Sequence, residues 1–172
     1  MSTVGVASRN PPISARPGFP VKAMLCGGLL AGFLDGLDAV VYFGIAAGAK
    51  PAGIFRYIAG GLIGLQAARA GGWDVVALGV LLHFLIALGA AASYCAASLW
   101  LPDLVRRPFL WGPVLGVAVY LFMDFVVVPL SLLPRQGHWS STAVFVNEII
   151  IHTMGVGLPI AWFAARSLRN PQ

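Results

Sequence analysis

Apolar residues run along this chain in four long stretches, Ala23 to Ala47, Trp73 to Leu101, Phe109 to Leu133 and Thr142 to Ala165. A helix needs about 20 residues to cross a ~30 Å hydrocarbon core, so each stretch predicts a transmembrane helix. Pro51, Pro102, Pro108 and Pro134 punctuate the pattern. Residues 51–70 are apolar too, but Arg56 and Arg69 leave too short a run between them to span. That segment predicts a short interfacial or re-entrant helix. Residues 1–21 hold Pro11, Pro12, Pro17 and Pro20 with Arg9 and Arg16, which predicts a disordered cytoplasmic tail and not a signal peptide. The expected fold is all-α and polytopic: a single transmembrane four-helix domain over residues 22–168, with one additional short helix.

Composition strengthens this picture. Of 172 residues, 59% are hydrophobic and 10% charged, where a soluble domain carries about a quarter charged residues. The lipid bilayer is therefore the main expected partner. The net charge of +5 does not indicate nucleic acid, because a nucleic-acid binder gathers its basic residues on one face. Here they stand singly or in pairs between apolar runs and act as topology signals. Four spans with the N-terminus inside place Arg9, Arg16, Lys22, Arg106, Arg107, Arg166 and Arg169 in the cytoplasm and leave four basic residues outside. Both termini are therefore expected to be cytoplasmic. Trp73, Trp100, Trp111, Trp139 and Trp162 all fall near proposed helix ends, at the headgroup level that amphipathic rings prefer.

Cys26 and Cys95 lie inside apolar runs and are expected as free thiols; Ala23, Met24 and Leu25 do not form a lipoprotein-processing site before Cys26. Gly28, Gly32 and Gly36 in the first span, with Gly112 and Gly116 in the third, predict close helix packing. Pro129 is a kink candidate in the third span, and Gly155, Gly157 and Pro159 are in the fourth.

Candidate chemistry concentrates in one layer. Asp35, Asp38, Asp124 and Glu148, four of the six acids, lie inside proposed spans together with His83 and His152. A charge at mid-bilayer costs on the order of 3 kcal/mol on insertion scales, so these side chains should face the bundle interior. At 1.5 Å per residue all six sit roughly 10–16 Å below the outer surface. Asp35 and Asp38 are three apart and Glu148 and His152 four apart, so each pair shares a helix face. His83 shares its face with Ala87, Ala90 and Tyr94, and Tyr120 lies one turn from Asp124. Tyr94, Tyr120 and Asn147 are supporting polar groups.

Three functional readings follow. The first is a proton or ion path serving transport or homeostasis. The second is an intramembrane site for a divalent metal, with a metalloenzyme as a sub-case. The third is bis-histidine haem on His83 and His152, which four surrounding acids disfavour. A structural or accessory subunit, with the polar pairs fixing helix register, is the bland alternative. No nucleotide-binding glycine loop, nucleophile elbow or HExxH helix occurs, which argues against an enzyme of the familiar soluble kinds. A homo-oligomer is expected because four short helices enclose little space.

The stretch from Pro51 through Ile58, Ala59, Gly60, Gly61 and Gly64 to Leu82, His83 and Phe84, followed by Tyr94, resembles a group of small bacterial membrane proteins. Val128, Pro129 and Leu130, then Glu148 and His152 before a basic tail, are distantly similar to the YagU-like inner-membrane proteins. The resemblance implies a bacterial inner-membrane location and a helical fold, and it implies no reaction.

Overall fold

The computed structural model describes residues 18–134 and 141–169. Most of the expected tail, and His138 and Trp139, lie outside the described residues. Seven helices follow in order: α1 (Val21–Ala47), α2 (Pro51–Ile63), α3 (Leu65–Ala70), α4 (Trp73–Ser98), α5 (Pro102–Arg106), α6 (Pro108–Leu130) and α7 (Thr142–Arg169). Among the described residues there is no strand. Helices α1, α4, α6 and α7 are each long and apolar enough to cross a membrane. The chain is therefore a multi-pass all-α membrane protein.

The lipid-facing side of α1 is written as a stripe of every fourth residue. Leu25, Leu29, Phe33, Leu37 and Val41 are all exposed. Phe109, Leu110, Leu121, Phe122 and Phe125 do the same on α6, and Val146, Ile150 and Met154 on α7. So broad an apolar surface is stable only against hydrocarbon.

The bundle divides across its middle. In the half that holds the start of α1 and the end of α7, the helices meet through small side chains. Ala23, Ala31, Ala91, Cys95, Ala161 and Ala164 form one buried cluster with Ile160 at its centre. We call this the closed half. Helices α6 and α7 approach so closely that a Cβ on Gly157 would land on the Gly112 carbonyl, and one on Gly116 would land on that of His152. In lipid, such backbone contact carries much of helix association. Tyr94 Oη donates to the Leu104 carbonyl at 3.1 Å, and Arg169 Nη2 donates to the carbonyls of Val105 and Arg106. These bonds satisfy acceptors that the ends of α5 would otherwise leave orphaned.

The other half, the open half, contains the ends of α1 and α6, the starts of α4 and α7, and the α2–α3 pair. The segment expected as one helix over 51–70 is two. Gly64, at φ +84° and ψ 144°, turns the chain, a conformation open only to glycine, and α3 folds back so that Gly60 lies against Leu65 and Ala68. Helix α2 crosses α4 at Gly79, where a Cβ would strike the Phe55 carbonyl. Span boundaries also shift by a few residues. Helix α6 stops at Leu130, short of the expected Leu133, because Ser131 turns to extended backbone and Leu132 N–H donates to the Gly61 carbonyl at 2.9 Å. Helix α7 runs on to Arg169, four residues past the expected end, because that arginine is anchored on α5.

Two wide π-helical turns interrupt the spans, at Met123–Val127 in α6 and Ile151–Gly157 in α7. Each ends two residues before a proline, Pro129 or Pro159. Proline lacks the N–H for the α-helical bond and its ring crowds the carbonyl four residues back; widening the turn relieves both problems. In α7 nearby side chains serve the displaced carbonyls. His152 Nδ1–H donates to Glu148 O at 2.8 Å and Thr153 Oγ1 to Ile149 O at 2.7 Å.

Candidate functional site

A half-enclosed cavity of about 390 Å³ occupies the open half, running from Phe43, Ile54 and Val144 near the helix ends to Ala31, Ala90 and Val156 near the middle. Five of the six proposed ionisable residues line it: Asp35, His83, Asp124, Glu148 and His152. Measured at 1.5 Å per residue from the open helix ends, they lie roughly 9–18 Å deep.

Each arrives there for a local reason. Asp35 sits on the face of α1 that Gly32 and Gly36 turn toward α4. Gly36 carries no side chain, and a Cβ there would sit 3.1 Å from His83 Nε2, so this glycine seats the imidazole. That lets His83 reach across to α1, where Nε2–H donates to the Gly32 carbonyl at 2.8 Å. A carbonyl only accepts, so this bond fixes the tautomer. His83 Nδ1 is left toward Asp35 Oδ2 at 4.0 Å, across side chains that are 11% and 26% exposed. On α7 the i,i+4 spacing brings Glu148 Oε2 to 3.5 Å from His152 Nδ1. The Nδ1–H is committed to the backbone carbonyl of Glu148, leaving Nε2 as the nitrogen that can change protonation. Asp124 is placed by the wide turn of α6, and His152 by that of α7. Tyr120 is buried, with its ring edge-on to those of Phe145 and His152 at 6.0 and 5.6 Å between centroids.

Asp38 does not line the cavity. It lies beside it and accepts a 2.7 Å hydrogen bond from Asn147 Nδ2 of α7, while remaining, with Asp35 and Asp124, close enough to act electrostatically on Glu148. Tyr94 is not part of the site. It shares a helix face with His83, but eleven residues further along α4 put it about 16 Å deeper, in the closed half. Of the five glycines, Gly28 and Gly32 lie against Leu88 and Phe84 of α4, Gly36 against His83, and Gly112 and Gly116 against α7. Both cysteines are free.

The sequence pattern missed one wall of the cavity. Ile54, Tyr57 and Ile58 of α2 contribute it, and their i, i+3, i+4 spacing was the available signal. Among the described residues no three His, Cys, Asp or Glu side chains are grouped as metal ligands. The carboxyls and imidazoles are arranged as separate pairs around an open volume, suited to holding protons or a diffuse charge. No family model, curated protein or solved structure matches the chain.

Proposed function

We propose that this chain is a proton-handling transport or homeostasis protein of a bacterial inner membrane, with both termini cytoplasmic. One observation carries the reading: two His–carboxyl pairs, on α1–α4 and on α7, border the same cavity, and in each a backbone carbonyl holds one imidazole N–H. An imidazole fixed this way can gain and lose its second proton without turning over. In the α1–α4 pair an unprotonated Nδ1 and an ionised Asp35 would present two lone pairs to each other. One proton, on either partner, relieves this.

The orientation is supported by charge. Lys22, Arg106, Arg107, Arg166 and Arg169 gather at the closed end, against Lys50, Arg56 and Arg69 among the described residues elsewhere. The open half then faces outward. The resemblance to small bacterial inner-membrane proteins points to the same membrane. All five ionisable residues that line the cavity come from one chain. The metal alternative finds less support because its ligands are not grouped.

Purified protein in liposomes, with a pH-sensitive dye inside and an imposed pH step, tests the reading. Faster equilibration than in protein-free liposomes is expected, falling to the protein-free rate in Asp35→Asn with Glu148→Gln. Folded wild-type protein that moves no protons sinks it, and a stably copurifying partner would then favour an accessory role.

A further inference from the structure

The cavity offers more than protons require. Its volume of about 390 Å³ lies in the range of small-molecule sites, roughly 300–1,000 Å³, and far exceeds what a proton relay along side chains needs. Its lining is mainly apolar, with aromatic rings from four helices, Phe43, Tyr57, Tyr120 and Phe145. Among the described residues no Lys or Arg lines it. Three carboxyls, those of Asp35, Asp124 and Glu148, face two imidazoles there. With all three ionised and both imidazoles protonated, one negative charge still stands over.

A chamber with surplus negative charge would hold a cation, but not a bare divalent ion, since among the described residues no three ligands are grouped around a point. Aromatic faces, apolar walls and a diffuse negative field instead suit a cation whose charge is spread over, or shielded by, carbon. Rings attract such a cation through their quadrupole without directed bonds. Entry is open, because Tyr57 is 39% exposed and the Asp35 and Glu148 side chains 26% and 25%.

We propose that the cavity binds a monovalent lipophilic organic cation, a quaternary ammonium or phosphonium or a protonated amine on an apolar body. The proposal rests on the proton reading of the same carboxyls, which hold either protons or this ligand. The two exclude each other, so cation entry expels a proton.

The test compares methyltriphenylphosphonium with triphenylphosphine oxide, nearly the same shape without the charge. Both are titrated into the detergent-purified full chain by calorimetry. Saturable one-to-one binding of the phosphonium is expected, with the oxide at least about tenfold weaker and Glu148→Gln and Asp35→Asn each lowering phosphonium affinity by about tenfold. Tyr57→Leu, on the exposed wall and outside the ionisable set, should weaken it by about threefold. Thermal melts confirm that each variant is folded. Equal binding of oxide and phosphonium overturns the proposal, as does phosphonium affinity unchanged in both acid variants. Absent binding by a wild type that still conducts protons in liposomes overturns it while leaving the proton reading standing. Competition in detergent identifies the natural source: displacement of the phosphonium by short-chain phosphatidylcholine below its critical micelle concentration, but not by short-chain phosphatidylglycerol, supports the proposal with a choline headgroup as occupant, and displacement by neither supports it with a free molecule.

Discussion

Around Ile160 the long helices touch through alanine and glycine, whereas two turns along α7, His152 keeps its backbone against Gly116 of α6 but lines, with its side chain, a cavity bordered by other ionisable groups. In the closed half small side chains predominate in the buried cluster, and the hydroxyls of Tyr94 and Ser98 are spent on carbonyls. In the open half the wide turns at Asp124 and His152 give up regular helix, and the short α2 crosses α4 at Gly79. Hydrocarbon offers no hydrophobic drive to bring helices together, so close packing must supply the adhesion. Each mid-membrane charge works against stability by on the order of 3 kcal/mol on insertion scales. A tightly packed half is what allows a polar, hollow half to exist beside it.

Substitutions can break this contrast, beginning with the closed half. Gly157→Leu drives a side chain into the Gly112 carbonyl and should cost about 3 kcal/mol, seen as a large fall in the melting temperature in detergent. Gly79→Leu meets the Phe55 carbonyl just as directly, but α2 is a short helix of 13 residues and not a span. It should cost about 1–2 kcal/mol and leave the bundle folded; an equal loss in the two variants would show that both halves are equally rigid. Glu148→Gln should abolish proton movement in liposomes while raising stability by about 1 kcal/mol, as expected where function opposes stability. A melting temperature that falls instead would mark Glu148 as a structural partner of His152.

Pro159→Ala removes the cause of the wide turn in α7. It should leave stability within about 1 kcal/mol of wild type or above it and slow proton movement several-fold by turning His152 off the cavity. The smallest effect belongs to Tyr94→Phe, which loses one hydrogen bond worth about 0.6 kcal/mol inside a membrane and should leave proton movement unchanged.

Sequence periodicity made the four spans legible because lipid imposes length and polarity directly on residues such as Leu25 to Val41. The convergence of Asp35, His83, Asp124, Glu148 and His152 was legible for the same reason: polar groups at one depth have only each other and the bundle interior to face. Tyr94 shows the limit. A shared helix face does not fix depth, and eleven residues carried it out of the site. Asp38 shows another, since i,i+3 neighbours differ by about 60° around a helix, enough for Asp35 to enter the cavity while Asp38 turns to Asn147. The α2 wall depended on the crossing at Gly79, a contact between segments that no local pattern encodes. Pro129 and Pro159 were visible as interruptions, but their consequence, a wide turn beneath an ionisable residue, appears only in three dimensions.

The bond between Asn147 and Asp38 spans 109 residues, and this separation bears on how the protein is made. A ribosome adding about 5–20 residues per second delivers α7 roughly 5–20 s after α1. Throughout that interval Asp35 and Asp38 lack the helix that completes their surroundings, so α1 is expected to wait with its carboxyls sheltered by the insertion machinery. Biogenesis then finishes in a single late step, when the last helix arrives and docks. A nascent chain stopped before Thr142 is expected to leave α1 crosslinkable to the translocation channel, and release into lipid at that stage would show that α1 needs no such shelter.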